Sequence, residues 1–305
     1  MIKNFKFIDL FAGIGGMRIP FEELGGDCVF SSEWDKFSQI TYEANFGETP
    51  HGDITKVDAK NIPKHDLLVG GFPCQAFSQA GLKKGFEDTR GTLFFDIARI
   101  LKYHKPKAFL LENVKGLRGH NKWKTFKTII SVLNDLGYQT LETKVLNAKD
   151  FGLPQNRERI FIIGFLKFIY FEFPKPLMIK TRVGDILDTK VSDKYTISDK
   201  LWVGAKKRKL RNRKKGNGFG FSLFNKKSKY TSTISARYYK DGAEIWIDQV
   251  NRNPRKLTPN EARKLQGFPE GYKIPVSDVQ AYKQFGNAVP VSVIREIAKE
   301  MIKYF

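Results

Sequence analysis

Cysteine and histidine are scarce in this sequence. Its 305 residues include two cysteines and four histidines, too few for a disulfide framework and without the close spacing that holds a structural metal. No apolar run approaches the roughly 18 residues of a membrane span, and the first residues lack a signal-peptide pattern. We therefore expect a cytoplasmic protein of a reducing compartment, with no metal and no membrane partner.

Acidic residues are also in short supply. The chain has 53 Lys and Arg against 32 Asp and Glu, a formal net charge of +21. A field of that sign over the surface indicates a polyanionic partner, because cationic side chains neutralise phosphates. Nucleic acid is favoured over the alternative, a basic surface that only keeps the protein soluble.

Short apolar runs alternate with helical patterns through the first half of the chain. Strand–helix alternation with glycine at the strand exits predicts an α/β fold, a parallel sheet with helices on both faces. Ligands of such sheets bind at the carboxyl ends of the strands. The predicted strands are 5–10, 28–32, 66–70, 108–111, 141–146 and 160–165, and the predicted helices are 16–24, 36–46, 92–103 and 122–136.

The character of the sequence changes near Phe173. A basic run leading into glycines and aromatics, "KKRKLRNRKKGNGFGFS" (206–222), favours a DNA-facing element over a solvated charge cluster. The stretch 230–248 predicts two β-runs around a Lys240-Asp241-Gly242 turn. We therefore expect a second, small, mostly β domain, followed by an amphipathic helix in 290–305 that packs on the first domain.

A glycine-rich turn follows the first predicted strand, in "FIDLFAGIGG" (7–16). Glycines there permit a tight turn and close approach to a ligand, but the spacing is not the G-x-G-x-x-G of dinucleotide enzymes. Glu33 could bind a ribose, Trp34 could stack on an adenine, and Asp53 ends another short run. Each has a structural alternative, such as a capping acid or a core tryptophan; together they predict an adenosine site.

Cys74 lies in "LLVGGFPCQAFSQAG" (67–81), after an apolar run, two glycines and Pro73. A lone cysteine is by default a buried, inert thiol, which suits Cys28. The position of Cys74 at a strand exit instead indicates a reachable nucleophile. Arg157 and Arg159, in "QNRERIF", could supply the basic partners, unless they are only a solvated cluster.

Glu112 ends the apolar run of "FLLENV" (109–114). Desolvation there favours the protonated carboxyl, so Glu112 could act as a proton donor, although an isolated Glu is often a helix cap. A thiol, a carboxylic acid and an adenosine site on one sheet edge suggest covalent activation of a heterocycle followed by group transfer.

The motifs of this sequence, and the order in which they follow one another, resemble those of the DNA (cytosine-5)-methyltransferases, specifically the compact bacterial modification enzymes. The resemblance covers nearly all of the chain. The resemblance implies a Rossmann-like S-adenosylmethionine-dependent methyltransferase domain at 1–174, a target-recognition domain at 175–265, and a segment 266–305 that returns to the catalytic domain. The matching motifs are "DLFAGIGG", "EWD", "GDI", "GFPCQAFS", "GFEDTRGTLFFD", "ENVKG", "QNRERIF" and "QFGNAVP".

The resemblance also implies a cofactor site for S-adenosylmethionine, which leaves as S-adenosylhomocysteine. Glu33 would hold the ribose, Trp34 would cover the adenine, and Asp53 would meet the adenine amine. The remaining residues implied to contact the cofactor are Phe11, Gly13, Gly16, Pro73 and Asn287.

In the implied reaction a cytosine is flipped out of duplex DNA. Cys74 attacks C6, Glu112 hydrogen-bonds N3 and the exocyclic amine, and Arg157 and Arg159 hold the nucleotide. The loop 75–90 would close over the DNA, with Ser78 and Arg90 as DNA contacts. Ala80 departs from relatives that place a serine there to fill the gap left by the flipped base.

The second domain is similar to recognition regions of enzymes acting on CCWGG or CCNGG sites. Arg237 and Lys240 are the candidates for guanine contacts, with phosphate contact as the alternative. The resemblance implies a protein that protects host DNA in a restriction–modification system, and it implies no physical complex with a cognate endonuclease. We expect a monomer, because no self-complementary apolar surface is legible in the sequence.

Three other functions stay open from the sequence. An RNA cytosine-5 methyltransferase shares this fold, but the large region after Phe173 argues against it. A catalytically silent DNA-binding protein predicts a broken Pro-Cys or Glu-Asn-Val element, and both are intact. An amino-methyltransferase would carry a Pro-Pro-aromatic element in place of Phe72-Pro73-Cys74 and needs no thiol.

Overall fold

The computed structural model describes residues 4–73, 93–218 and 220–305. The chain divides into two compact units. The first comprises Met1–Leu146, Glu158–Lys175 and Val293–Phe305, and the second comprises Asn147–Arg157 and Pro176–Ser292. Residues 147–157 and 266–292 thus group with the second unit, whereas the resemblance places them with the catalytic domain and the returning segment. As functional domains, the three ranges stay a prediction.

The first unit is built on a six-stranded sheet of order β2-β1-β3-β4-β6-β5. Strands β1, β2, β3 and β4 are parallel neighbours, as predicted, while β6 runs antiparallel to β4. The connection from β5 to β6 covers only 148–157, too short for the helical crossover that keeps strands parallel. The strands are β1 Phe5–Leu10, β2 Gly26–Ser32, β3 Leu67–Gly71, β4 Ala108–Val114, β5 Thr140–Asn147 and β6 Glu158–Phe165.

Both faces of this sheet are covered, which confirms the predicted arrangement. One face packs on α3 and α4 in a shared apolar cluster, and on the other the rings of Phe7 and Phe21 lie 5.8 Å apart. Runs buried on both faces explain why the central strands are almost continuously apolar. The helices of this unit are α1 Arg18–Glu23, α2 Lys36–Phe46, α3 Leu93–His104, α4 Lys124–Asp135 and, from Val293 onward, α8 Val291–Met301.

The C-terminal helix α8 confirms the amphipathic prediction. Val293, Ile294, Ile297 and Met301 are all fully buried, and this part of the chain belongs to the first unit. The ring of Phe305 lies 5.2 Å from that of Phe5 on β1. The end of the chain therefore completes the core of the first unit.

The second unit contains a three-stranded sheet of order β7-β8-β9, formed by Leu223–Phe224, Trp246–Gln249 and Arg252–Arg255. It also contains three helices, α5 Asp199–Lys214, α6 Pro259–Leu265 and α7 Asp278–Asn287. The sequence predicts a mostly β unit, but residues 206–214 of its basic run lie in α5, since Lys and Arg are good helix formers.

The predicted hairpin of this unit is displaced along the chain. Tyr238 is fully buried and donates its hydroxyl hydrogen to the Ile245 carbonyl at 2.6 Å, so the chain turns before Lys240 rather than running as a strand. The antiparallel pair instead joins β8 and β9, across a turn in which Asn251 has a φ of +55°. Asparagine tolerates this left-handed conformation. The Asp241-Gly242 pair, on which the prediction was based, does not form the hairpin turn.

None of the helices in the described ranges combines the length and hydropathy of a membrane span.

Candidate active site

The glycines of the loop after β1 have different surroundings. Phe11 and Gly13 both have a φ of +56°. A Cβ on Gly13 would have the Phe11 carbonyl at 4.0 Å as its nearest neighbour, so the space beside Gly13 is open to a ligand. Gly15 has a φ of +78°, and a Cβ there would lie 2.2 Å from the Phe46 ring, so backbone conformation and packing both favour glycine. Gly16 is buried.

Glu33 ties this loop to the end of β2. Its Oε2 accepts a hydrogen bond of 2.8 Å from the Gly13 amide, and its Oε1 accepts one of 2.8 Å from the Asp35 amide. The residue is 8% exposed. Burial raises the pKa of the Glu33 carboxyl, and the two amide donors oppose that shift. Two backbone amides therefore fix the Glu33 carboxyl in place at the carboxyl end of the sheet.

Asp53 reaches the same edge through a short stretch that pairs beside β2. The Glu33 amide donates to the His51 carbonyl at 2.8 Å, and the His51 amide donates to the Ser31 carbonyl at 2.9 Å. The hydroxyl and amide of Thr55 donate to Asp53, which lowers the pKa of its carboxyl. Asp53 is thus held as a charged acceptor.

Trp34 is 78% exposed, which excludes the core-tryptophan alternative. At this edge Trp34 provides a flat ring, and the carboxyl groups of Glu33 and Asp53 provide acceptors for hydroxyl and amine donors. The open face of Gly13 leaves room beside the backbone. These features fit the adenosine part of S-adenosylmethionine. The edge belongs entirely to the first unit.

A second constellation lies where β3 and β4 end. Gly71 is in register with Glu112 across the parallel pair, and the Asn113 Nδ2 donates to the Phe72 carbonyl at 2.8 Å. Pro73 is exposed and is the last described residue before the gap. Cys74 lies outside the described residues, as do Ser78 and Arg90. The described chain therefore stops one residue before the predicted nucleophile, at a strand exit that is in register with Glu112.

Arg159 meets Glu112 across the antiparallel β4–β6 pair. Its Nε lies 3.0 Å from Oε1 of Glu112, with side chains 14% and 10% exposed. An ion pair this sheltered orients the carboxyl more firmly than a surface pair does. The sequence indicated both residues, but their contact depends on the reversed direction of β6.

Arg157 differs from its predicted place beside the nucleotide. It is fully buried, and its guanidinium donates to three backbone carbonyls of the second unit. The distances are 3.0 Å to Ile234, 3.0 Å to Gly286 and 2.7 Å to Ala288. Since this geometry presents no exposed donor, Arg157 and Arg159 do not act as one cluster.

The predicted base readers lie in a turn of the second unit. Arg237 and Lys240 are exposed on either side of the buried Tyr238. The Tyr238 hydroxyl also accepts from the Leu257 amide at 2.8 Å, which anchors the turn. Asn287, the predicted late-chain cofactor residue, is exposed at the last position of α7.

Sequence reasoning did not single out two residues near these sites. Asn113 was visible only as part of the Glu-Asn-Val motif, whose middle residue carries the bond to Phe72. Asp9, in β1, is 1% exposed, and burial raises the pKa of its carboxyl to about 8, with Arg18 opposing the shift. An acidic residue near the end of a mostly apolar strand was the available signal for Asp9.

Among the described residues no group of three or more His, Cys, Asp and Glu side chains has the geometry to hold a metal ion.

Comparison with known proteins gives one consistent family. A model of the C-5 cytosine-specific DNA methylases matches residues 5–303. The type II methyltransferase M.DsaV of Dactylococcopsis salina is 63% identical over 99% of this chain and 87% of its own length. M1.ScrFI of Lactococcus lactis subsp. cremoris, also named a type II methyltransferase, is 62% identical over 98% of this chain and 78% of its own length.

Solved structures agree on the fold. The Entamoeba histolytica methyltransferase EhMeth superimposes with a TM-score of 0.81 at 22% identity, covering 99% of this chain and 98% of that one. The Spodoptera frugiperda DNMT2 variant gives 0.81 at 22% identity, covering 97% and 99%. On the family match, the relatives and the arrangement of its strand ends, this protein belongs to the C-5 cytosine-specific DNA methylases.

Proposed function

We propose that the protein methylates C5 of a cytosine in a short duplex DNA site, with Cys74 as the nucleophile and Glu112 as the residue that activates the base. The observation that carries the proposal is the sheltered contact between Glu112 and Arg159, 3.0 Å apart, beside the strand exit that continues to Cys74. As in other C-5 cytosine DNA methylases, bound S-adenosylmethionine supplies an electrophilic methyl group.

The first unit's sheet edge would hold the cofactor. Glu33 would accept from the ribose hydroxyls, Asp53 from the adenine amine, and Trp34 would cover the adenine. The open face of Gly13 supports a close approach to the backbone there. Phe11, Gly16, Pro73 and Asn287 complete the set expected from the resemblance.

The base must leave the stack before a thiolate can reach it. The Cys74 thiolate would then bond to C6 while the protonated carboxyl of Glu112 gives its proton to N3 and hydrogen-bonds the exocyclic amine, so electron density moves to C5 and C5 becomes the nucleophile. After methylation the C5 proton leaves to solvent, the bond from sulfur to C6 breaks to restore the Cys74 thiolate, and the N3 proton returns to Glu112. Arg159 would keep the Glu112 carboxyl oriented throughout.

The second unit would meet the DNA. Its helix α5 carries eight Lys and Arg residues and one acidic residue. A few basic residues in the last turn are enough to stabilise a helix through its dipole, so the remaining positive charge supports contact with phosphates. The exposed side chains of Arg237 and Lys240 support base or phosphate contacts from the neighbouring turn. Ser78 and Arg90 would add contacts from the loop 75–90.

The relatives named type II methyltransferases support a role in modification. We propose that the protein works in the bacterial cytoplasm, on the nucleoid, as a monomer that protects host DNA within a restriction–modification system. Its target would be a CCNGG or CCWGG site, with any cognate endonuclease acting separately.

The test is methylation of unmethylated plasmid DNA with S-adenosylmethionine, read by bisulfite sequencing, beside a transfer RNA control. Methylcytosine confined to one short motif is the expected result, and a CCNGG or CCWGG motif would support the target assignment. Marks in RNA and none in DNA would contradict the proposed substrate. Methylcytosine without any sequence preference would contradict the recognition role of the second unit.

A further inference from the structure

Arg157 joins two parts of the second unit that are far apart in sequence. Its Nη1 donates to the Ile234 carbonyl, and its Nη2 donates to the carbonyls of Gly286 and Ala288. The side chain is fully buried. A planar guanidinium with several donors in fixed directions can satisfy three carbonyls at once, which an ammonium on a flexible stem cannot reproduce.

Gln155, on the same short segment, makes a parallel connection. Its Oε1 accepts from the Ile234 amide at 3.0 Å, while its Nε2 donates to the Leu265 carbonyl at 3.1 Å and to Gln266 Oε1 at 3.0 Å. Gln266 in turn donates from Nε2 to the Ala288 carbonyl at 3.2 Å. The two joined segments are therefore held by a buried network.

The two segments also touch backbone to backbone. A Cβ built on Gly286 would lie 2.3 Å from the carbonyl carbon and oxygen of Ser235 and 2.4 Å from the Ala236 nitrogen. Such contacts are far shorter than a Cβ can make, and the obstacle is main chain rather than a flexible side chain. Any displacement of one segment is consequently transmitted to the other.

Each of the two joined segments lies next to a residue that the proposed function assigns to ligand binding. Gly286 and Ala288 flank Asn287, the candidate cofactor contact, and Ile234 and Ser235 lead into the turn that carries Arg237. We propose that Arg157 is a positioning residue that couples the segment around Asn287 to the turn of Arg237, so that cofactor binding and recognition of target DNA are linked. This inference rests on the proposed function for the roles of Asn287 and Arg237.

The experiment measures binding of a short duplex containing the methylated motif, with and without S-adenosylhomocysteine. For the wild type we expect the ligand to tighten DNA binding by a factor within about 5–150, the usual range of coupling between sites. In Arg157→Lys the factor should fall to within about twofold of one, because the lysine cannot hold all three carbonyls. Gly286→Ala should lower it in the same way by displacing Ser235.

Arg255→Lys is the matched control. Arg255 is buried in the same unit, where its Nη atoms donate to Glu261 at 2.7 and 2.8 Å and to the Lys256 carbonyl at 3.0 Å; neither of these partners lies in a joined segment. Its replacement should lower the melting temperature while the coupling factor stays at the wild-type value. A merely structural role of Arg157 would make the two variants behave alike.

The outcomes separate the two proposals. Wild-type methylation of DNA together with undiminished coupling in Arg157→Lys, or in Gly286→Ala if the first variant does not fold, would overturn the positioning role alone. A methylating wild type that shows no coupling would overturn it as well. A wild type that binds S-adenosylhomocysteine but neither binds nor methylates DNA would overturn the proposed function, and the coupling with it.

Discussion

The Nδ2 atom of Asn113 donates a hydrogen bond of 2.8 Å to the carbonyl of Phe72, so the end of β4 is tied to the exit of β3. Glu112 precedes the donor by one residue, and Cys74 follows the acceptor by two. This buried bond therefore joins the residue next to Glu112 to the strand exit that precedes the proposed nucleophile.

Asn113→Ala should lower kcat by about 10²-fold, because a displacement of about 1 Å at reacting groups has that effect. Removal of the bond should also reduce the free energy of unfolding by about 1–3 kcal/mol. Steady-state kinetics and denaturant unfolding measure the two effects. Asn45→Ala, which removes a similar 2.7 Å bond to the Thr41 carbonyl on α2, should change stability alone; an equal decrease of kcat would contradict the assignment.

Glu112→Gln should reduce the methylation rate by about 10²–10⁴, since the amide cannot protonate N3. The control is Glu158→Gln. Glu158 lies on β6 and forms a solvent-accessible ion pair with Lys115, so its replacement should leave the rate nearly unchanged. Single-turnover methylation of a short duplex measures the chemical step. A near-normal rate for Glu112→Gln would reduce this residue to a structural role.

Cys74→Ser should abolish methyl transfer while DNA binding persists, because serine is a much poorer nucleophile at neutral pH. Cys28→Ser should retain activity. Cys28 is buried, and burial raises the pKa of its thiol to about 12, so it is unreactive at neutral pH. Trapping a cytosine analogue on the wild type but not on Cys74→Ser would test the covalent step, and turnover by Cys74→Ser would exclude it.

The buried carboxyl of Asp9 predicts a pH dependence of stability. Burial raises its pKa from 3.8 to about 8, so the folded state binds this proton more tightly than the unfolded chain does. The contribution of Asp9 to stability is complete below about pH 4 and is lost as the pH rises to about 8, with a limiting slope of about 1.4 kcal/mol per pH unit.

Asp9→Asn should flatten that dependence and raise the melting temperature more at pH 8 than at pH 5. Denaturant unfolding across this pH range measures the effect. The exposed Asp58→Asn serves as a comparison for a carboxyl on the surface. An unchanged pH profile in Asp9→Asn would mean that Arg18 keeps the Asp9 carboxylate charged.

The charge of α5 predicts the salt dependence of DNA binding. Removing one cationic side chain from a phosphate should reduce the slope of log K against log salt by about 0.9. Four exposed residues of α5 are to be changed together to Gln: Lys207, Arg211, Arg213 and Lys214. The control neutralises four exposed lysines of the first unit in the same way: Lys64, Lys105, Lys127 and Lys144.

The slope should fall by about 2–4 in the α5 variant and much less in the control, while the methylated motif stays the same. Fluorescence anisotropy over a salt series measures both slopes. Equal slopes for the two variants would mean that the positive charge acts only as a diffuse field.

Local pattern was enough to predict the strands and helices that build the sheet of the first unit. The apolar runs and the glycines after them indicated the six strands, and the strand exits indicated the edge where Glu33, Asp53 and Glu112 lie. The pairing of Glu112 with Arg159 was not predictable, since it requires β6 to run against β4. Register across a reversed strand is set by connection length and tertiary packing, which short motifs do not encode.

The second unit was harder to predict for a physical reason. Asp241-Gly242 is a strong local turn signal, but the buried Tyr238 and its bond to Ile245 determine the path of the chain there. Arg157 is similar: two arginines two residues apart gave no sign that one would be enclosed by carbonyls from 77 to 131 residues away.

The close approach of Gly286 to Ser235 has a practical consequence for changing target specificity by exchanging segments between relatives. A transplanted recognition segment has its own backbone conformation at position 235. That backbone must pass residue 286 at the same close distance without a steric clash. Chimaeras whose junctions keep 234–236 and 285–288 from one parent should fold and remain active more often than those that divide them.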